Sequence, residues 1–442
     1  MSNEKIELIE RTLKSKDLNE FEILFVDKNV YETIFMKNDI DNLREVNDFE
    51  YFIRILSQKN NETGIGVVRG NSLEPKDLDF IVNTCISLSK ANIGPKYTFP
   101  GNDILPKLEL ADKKIIKDPL GVRDNLSEEL ITEMKQQDKV IPTFARFRIH
   151  SNNRFLKNSN GIDYNSSTTF FFLEFSIKAL KNGKQSEFWD TLYLKDRTQL
   201  QFKERVKNWA KYAMDTLDAR EPISISEATV LFPPSVLVPA MNKVVGFHAL
   251  GRTKFEKLSR FNTEDQVASE EFTMIDDGIL KGGLYSNPWD GEGVPHQTSK
   301  IIDKGIFKMH LNDRKYGSLN NEKSTGNGMR SINGTVINHP SNLEILPGNI
   351  KFENMVSEIN EGFIINQFSW LNPDEISGNF GAEIRNGYYI KNGEIAYPIK
   401  GGNVSGRILE MIKHCQYISK EREYTSSTLF PYIAFNNLDV SS

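Results

Sequence analysis

After residue 225 the chain is cut again and again by glycine-bearing turns, and this restricts its fold more than any other feature. Gly282-Gly283, Gly291 and Gly293, Asn327-Gly328, Asn333-Gly334, Pro347-Gly348, Gly378 and Gly381, Asn386-Gly387, Asn392-Gly393 and Gly401-Gly402 divide it into short pieces. Pieces of this length suit strands better than helices, so the second half is expected to form a β-sandwich or a barrel. The clearest signal is Asn392-Gly393 between two apolar runs, because Asn-Gly supplies the positive φ angles of a tight hairpin turn.

The first half has a different pattern. Residues 4–15 read as a helix. Two apolar runs, 21–26 and 30–36, flank Asp27-Lys28-Asn29 and read as a hairpin, and a second hairpin is expected from 51–56 and 64–68 around a polar turn at 58–63. Leu78, Ile81, Val82, Cys85 and Leu88 recur at helical spacing and place a helix at 75–90. Pro95, Pro100, Pro106 and Pro119 then mark residues 93–125 as a connector. The theme returns with strands near 143–150, 154–158, 168–178 and 187–195. Phe202, Val206, Trp209, Ala213 and Leu217 define a helix over 199–217. The expected class is α+β. Residues 1–220 form an N-terminal mixed α/β domain, read as a duplication of halves 1–92 and 126–220 joined by the 93–125 linker, and residues 221–442 form a C-terminal β-rich domain.

Composition excludes several functions. With 55 basic and 60 acidic residues the net charge is −5, and no basic block stands out, so direct nucleic-acid binding has no support. The richest apolar run, 236–250, is interrupted by Pro239, Asn242 and Lys243 and falls short of the ~18 apolar residues of a membrane helix. The N-terminus is charged and lacks an apolar signal core. Two cysteines, Cys85 and Cys415, make no disulfide framework and suit a reducing cytoplasm.

The catalytic patterns fail one by one. No two of His150, His248, His296, His310, His339 and His414 lie within five residues of each other, so no helix-borne pair can hold zinc in the usual way. Cys85 falls on the apolar face of its helix. Thr325-Gly-Asn-Gly-Met-Arg330 superficially resembles a phosphate loop but lacks the Lys-Ser/Thr pair and the following helix. The carboxylate pairs Asp276-Asp277, Asp290/Glu292 and Asp374-Glu375 sit beside glycine or proline, where solvated turns are the default reading.

An ordered series of segments carries more information. It comprises Asp290-Gly-Glu-Gly-Val-Pro-His296, Asp313-Arg-Lys-Tyr316, Thr325-Gly-Asn-Gly328, Asn342-Leu-Glu-Ile-Leu-Pro-Gly348, Asn372-Pro-Asp-Glu-Ile-Ser-Gly-Asn-Phe-Gly381 and the hairpin 389–400. With Gly64–Arg69 and Arg154–Gly161 in the first half, the set resembles the TldD/PmbA (TldE) family over nearly the whole chain. The resemblance implies a zinc peptidase family whose active subunits carry a His-Glu-x-x-x-His helix and a cysteine near the C-terminus, and whose second subunit type lacks them. The corresponding helix here is Asn242-Lys243-Val-Val-Gly246-Phe247, and the cysteine position falls near Tyr424-Thr425. An amide is a poor zinc ligand and a phenyl ring is none. A protonated lysine repels a dication and cannot act as a base.

By this resemblance the chain is expected to be the metal-free PmbA/TldE-type subunit, without cofactor. It would pair with a TldD-type zinc subunit, or with itself, in proteolysis of short or unfolded peptides. Two other readings stand beside it: a stand-alone hydrolase with a non-zinc site around His296, Asp290 and Glu292, and a homodimeric peptide-binding adaptor. The family has also carried a gyrase-modulator label, which the acidic balance does not support.

Overall fold

The computed structural model describes residues 2–442. Its N-terminal sheet has seven strands in the order β4-β3-β2-β1-β5-β6-β7. These are β1 (Phe21–Met36), β2 (Asp39–Lys59), β3 (Glu62–Gly70), β4 (Ile93–Pro95), β5 (Val140–Asn158), β6 (Asp163–Lys181) and β7 (Lys184–Leu194). The helices are α1 (Ser2–Lys14), α2 (Pro75–Ala91), α3 (Lys113–Lys117), α4 (Pro119–Lys135) and α5 (Phe202–Leu217). Helix, three antiparallel strands, helix therefore occurs twice, and the two sets join edge to edge where β1 pairs with β5. The two halves read from sequence thus share one continuous sheet.

All four long helices cover one face of this sheet. Ile9, Leu13, Val82 and Cys85 pack on Ile23, Phe25 and Ile53. Leu130, Met134, Val206 and Trp209 pack on Phe147, Phe171 and Phe175. Because side chains alternate along a strand, Asn152, Arg154 and Leu156 of β5 point to the opposite face. There Leu24, Phe52, Leu156 and Tyr164 form a smaller apolar patch that receives Trp289 from the C-terminal half.

Two local expectations are corrected. Asp27-Lys28-Asn29 is no turn; it lies mid-strand in β1, with its backbone paired to β2 on one side and β5 on the other. The turn comes at Lys37-Asn38, where Lys37 takes φ 58°. The 93–125 stretch is no plain connector either. Pro119 occupies the first turn of α4, where its missing N–H costs nothing, and the Asp118 side chain caps the helix through Gly121 N–H. The inward positions of α4 are Arg123, Ser127, Leu130 and Met134, and two polar residues among four hide its apolar periodicity. Ser127 is spent on a 2.8 Å hydrogen bond to Thr33 of β1.

The C-terminal strands are β8 (Ile225–Phe232), β9 (Met274–Asp277), β10 (Thr298–Asp303), β11 (Ile306–Phe307), β12 (Gly328–Arg330), β13 (Val336–Asn338), β14 (Leu343–Ile345), β15 (Glu361–Phe368), β16 (Asn379–Lys391), β17 (Glu394–Ile399), β18 (Asn403–Arg407), β19 (Cys415–Thr425) and β20 (Thr428–Ser441). β8 pairs with both β15 and β20, so the path β20-β18-β16-β15-β8 closes into a barrel. Closure leaves the ring no free edge. Its core includes Val230, Phe363, Ile384, Val404, Phe430 and Phe435. The β16–β17 hairpin turns on Asn392 (φ 53°) and Gly393 (φ 76°), the conformation its sequence requires. Among the described residues no helix is long and apolar enough to cross a membrane.

Candidate functional site

The segment carrying Asn242, Lys243 and Phe247 follows β8. It starts as an α-helix at Pro234–Ala240, loosens into one π turn at Met241–Val245 and closes as a helical turn at Gly246–His248. Gly246 N–H donates to Met241 O, an i→i+5 bond. On a regular α-helix, positions five apart point about 140° away from each other. The wider π turn brings them toward one face, and both Asn242 and Phe247 line the same groove of about 400 Å³. Gly246 sits against Pro340, 3.4 Å from where a Cβ would stand.

The charge of this groove is mainly positive. Lys243 is half-buried and its ammonium donates to Asn372 Oδ1 at 2.5 Å. Arg252 stacks over the Phe247 ring at 6.0 Å, Lys315 lies on the same wall, and Glu375 is the acid present. His248 points into the core, where Arg260 N–H donates to its Nδ1 and burial holds its pKa down to about 4. Tyr424 donates its hydroxyl to Lys281 O, and the neighbouring Ser426 borders a different and larger cavity. Cys415 donates to Ile412 O, and burial pushes its thiol up to about 12. Cys85, fully buried, is likewise raised to about 12. Among the described residues no three His, Cys, Asp or Glu side chains converge in a metal-ligand arrangement.

The larger cavity, about 750 Å³, lies between the open face of the N-terminal sheet and the loops around 284–296 and 326–341. His339 and Pro340 border both it and the groove. Asp290 and His296 line it, whereas Glu292 turns away into the seam. The solvated-turn reading of Asp290/Glu292 and Asp276 is corrected here, for all three are at most 3% exposed. Asp290 accepts N–H bonds from Glu292, Val294 and Gly328. Burial, reinforced by the Glu292 charge, raises its carboxyl to about 7. Asp276 is also raised by burial to about 7 and accepts from Asn327 Nδ2 and from the Ser341 backbone and hydroxyl. His296 Nδ1 lies 2.9 Å from Asn287 O and 3.1 Å from Gly278 O; burial lowers its pKa to about 4, leaving a neutral ring with its proton on Nδ1. Asp374 and Glu375 are exposed, as solvated turn residues are.

Beside the cavity a polar cluster spans the seam. Tyr97 donates to Glu292 Oε1 at 2.5 Å and accepts from Arg54 Nη2 at 2.9 Å. Arg330 bonds Glu22, Gly291 O and Gly334 O, and Arg314 N–H donates to Glu292 Oε2. The chain can cross so tightly because Gly291 and Gly328 are bare: a Cβ on Gly291 would stand 2.6 Å from Gly328 O. Sequence reasoning placed Glu292, Arg154 and Arg330 in motifs but assigned no role to Glu22, Arg54 or Tyr97. Their one visible signal is the strand alternation that puts Glu22, Arg54 and Arg154 on the face away from the helices.

A two-lobed α+β chain with a polar seam over a closed barrel is the class these features define. Residues 225–442 match the family of PmbA/TldA metallopeptidase C-terminal domains. An uncharacterized protein of Methanocaldococcus jannaschii is 29% identical over 69% of this chain and 69% of its own length. A Metalloprotease TldD homolog of Buchnera aphidicola is 34% identical over 36% of this chain and 33% of its own. The crystal structure of TldE from Thermococcus kodakarensis superposes with a TM-score of 0.87 at 18% identity, covering 98% of this chain and all of that one, a likeness of fold. The chain belongs to the TldD/PmbA family.

Proposed function

We propose that this chain is a PmbA/TldE-type subunit, working beside a zinc-bearing TldD-type subunit in proteolysis of short or unfolded peptides and contributing no metal of its own. The observation that carries the reading is the make-up of the groove under the π turn. Asn242, Lys243 and Phe247 occupy its wall, with Arg252 and Lys315 nearby. A divalent cation there would meet the Lys243 and Lys315 ammonium groups and the Arg252 guanidinium, with only His339 and the exposed Glu375 as candidate ligands, so the residues present do not fit zinc, which needs three. A helix with no metal ligand at Asn242, Lys243 or Phe247 is what a subunit keeping the family's scaffold and not its chemistry would have.

Peptide handling is supported by the sheet edge. β2 pairs with β3 only from Tyr51 onward, so residues 39–50 are laddered to β1 alone and keep an open edge among the described residues. An extended chain can add to such an edge through backbone hydrogen bonds. The test is to co-express the chain with a TldD-type subunit, size the product, and assay an unfolded peptide with each protein alone and with both. A joint species that cleaves only when both are present, with zinc confined to the partner, is the expected result. Separate elution, or chelator-resistant cleavage by this chain alone, would refute the reading; the latter would favour a site at His296, Asp290 and Glu292.

A further inference from the structure

The 750 Å³ cavity lies within the size range of small-ligand sites, ~300–1,000 Å³, and its cations are left unbalanced. Arg54 and Arg330, at the seam, are bonded to carboxylates or carbonyls. Arg154, on the cavity wall, makes no hydrogen bond or ion pair with any described residue. Across the sheet Thr168 lines the same wall and accepts from the ammonium of Lys195, which likewise has no carboxylate partner among the described residues. Burial, together with the nearby Arg330 charge, lowers Arg154 to about 10, against the attraction of Asp290; burial lowers Lys195 to about 8. Arg154 and Lys195 are half-buried cations, the first facing only the partly protonated Asp290 and the second no carboxylate, and an anion brought to them would gain a charge-assisted pair.

Neutral groups around them are unsatisfied as well. Trp289 is 2% exposed, and its indole N–H has no partner; Asn152 Oδ1, on the same strand as Arg154 and two residues before it, is buried without one. Both residues line the cavity, with Phe170, Tyr193 and Tyr285 supplying apolar wall. The acid that faces the cavity, Asp290, has its oxygens occupied by three backbone N–H groups and is partly protonated near neutrality. The set therefore offers a guanidinium for a carboxylate, an amide oxygen for an N–H close to that carboxylate, and aromatic surface for an apolar group.

We infer that this cavity is a carboxylate-binding site anchored by Arg154, and that the ligand it takes is the C-terminal end of a short peptide with an apolar last residue. The inference rests on the peptide-binding part of the proposed function and not on the zinc partner. It extends that reading by naming the end of the peptide that is held.

The experiment is calorimetric titration of the full chain alone, at low salt, with acetyl-Ala-Ala-Ala-Phe as the free acid, the same peptide as its C-terminal amide, and 3-phenylpropionate. The free acid is expected to bind the unmodified protein at least about tenfold more tightly than the amide, as loss of one charge-assisted pair implies. Arg154→Gln should remove the preference, and Arg154→Lys should keep part of it. Equal binding of acid and amide by the unmodified protein, or binding of none of the three probes, overturns the site without recourse to any variant. If 3-phenylpropionate binds through Arg154 and neither peptide does, the anion site stands and the peptide-end assignment falls. No TldD-type subunit is present, so none of these outcomes bears on pairing, which the sizing experiment decides separately.

Discussion

The Tyr97 hydroxyl donates to the Glu292 carboxylate at 2.5 Å, joining two residues that lie 195 positions apart in the chain. This bond is the middle of the seam. Arg54 stacks on the Tyr97 ring at 5.2 Å while donating to its oxygen, and Glu22 lies under both Arg54 and Arg330. Burial, aided by Glu292 and Glu22 against the opposite pull of Arg54, keeps the Tyr97 hydroxyl protonated and thus a donor at all physiological pH. The bonds of this cluster that cross between the two halves are Tyr97 to Glu292 and Arg330 to Glu22.

Removing one member should therefore cost more than its own contacts. Tyr97→Phe strips Glu292 of a donor and is expected to lower stability by about 1–3 kcal/mol. Arg54→Met leaves Glu22 and Glu292 buried beside a neutral side chain and is expected to cost about 3–5 kcal/mol. Denaturant melts of the single variants and of Tyr97→Phe with Glu292→Gln check this. The double variant should fall short of the sum of the two singles, because both touch one hydrogen bond; simple additivity would show that the bond carries little of the coupling.

Acid should destabilise the protein less than its buried histidines suggest. His150, His248, His296 and His310 are all brought down to about 4 by burial. Their stabilising contribution is complete above the unfolded value of about 6.5 and is lost as pH falls through about 4. Asp276, Asp290 and Asp313 are raised to about 7, again chiefly by burial. Theirs is complete below the unfolded value of about 3.9 and is lost as pH rises through about 7. The two sets oppose each other across the same window, and four histidines against three carboxyls leave a net loss of about 1.4 kcal/mol per pH unit as pH falls from about 6.5 to about 4.5, about a quarter of what the histidines alone would give. Asp276→Asn removes one of the opposing carboxyls. Its melts should steepen on the acid side by up to about 1.4 kcal/mol per pH unit relative to the unmodified protein; an offset that is the same at every pH would contradict the raised carboxyl.

Much of the fold was legible because burial on one face leaves a periodic trace. Val82 and Cys85, like Val206, Trp209 and Ala213, lie on stripes that mark their helices, and Asn392-Gly393 marks its hairpin by backbone necessity. α4 escaped because Arg123 and Ser127 fill half of its inward face. Asp27-Lys28-Asn29 misled because a polar trio resembles a turn until the strands on either side are known. The seam was illegible for a deeper reason. Glu22, Arg54, Tyr97, Glu292 and Arg330 each look like an ordinary solvated residue on a polar face, and only the docking of two sheets makes them a cluster. The helix with Asn242, Lys243 and Phe247 was found through resemblance, yet its π turn has no sequence signature that periodicity detects.

That π turn makes a gain-of-binding prediction. Asn242 and Phe247 line one groove although five residues separate them. Asn242→His with Phe247→His should therefore create a chelating pair, and adding Lys243→Glu removes a repelling ammonium. Equilibrium dialysis against Zn²⁺ is expected to show weak binding for the double variant and tighter binding for the triple, with none at this groove in the unmodified protein. The two imidazoles of the double variant fall short of the three protein ligands of a catalytic site, so it should not hydrolyse peptides. Absence of any gain in the triple variant would mean that the turn does not bring these positions together.

Trp289 sets how the two halves unfold. Its ring is seated among Leu24, Val26, Phe52, Leu156, Ile162 and Tyr164 on the open face of the N-terminal sheet, 5.3 Å from the Tyr164 ring centroid. It is the one C-terminal side chain in that apolar patch, whose other members are all N-terminal. Trp289→Ala should cost about 3–5 kcal/mol, as for other buried aromatic truncations. The loss falls on the contact between the lobes and leaves the barrel core of Val230, Phe363 and Phe430 untouched. Calorimetry should then resolve two transitions where the unmodified protein shows one, the barrel melting near its original temperature and the N-terminal sheet earlier. A single transition shifted as a whole would mean that the charge cluster around Tyr97 and Glu292 is enough to keep the lobes coupled without the indole.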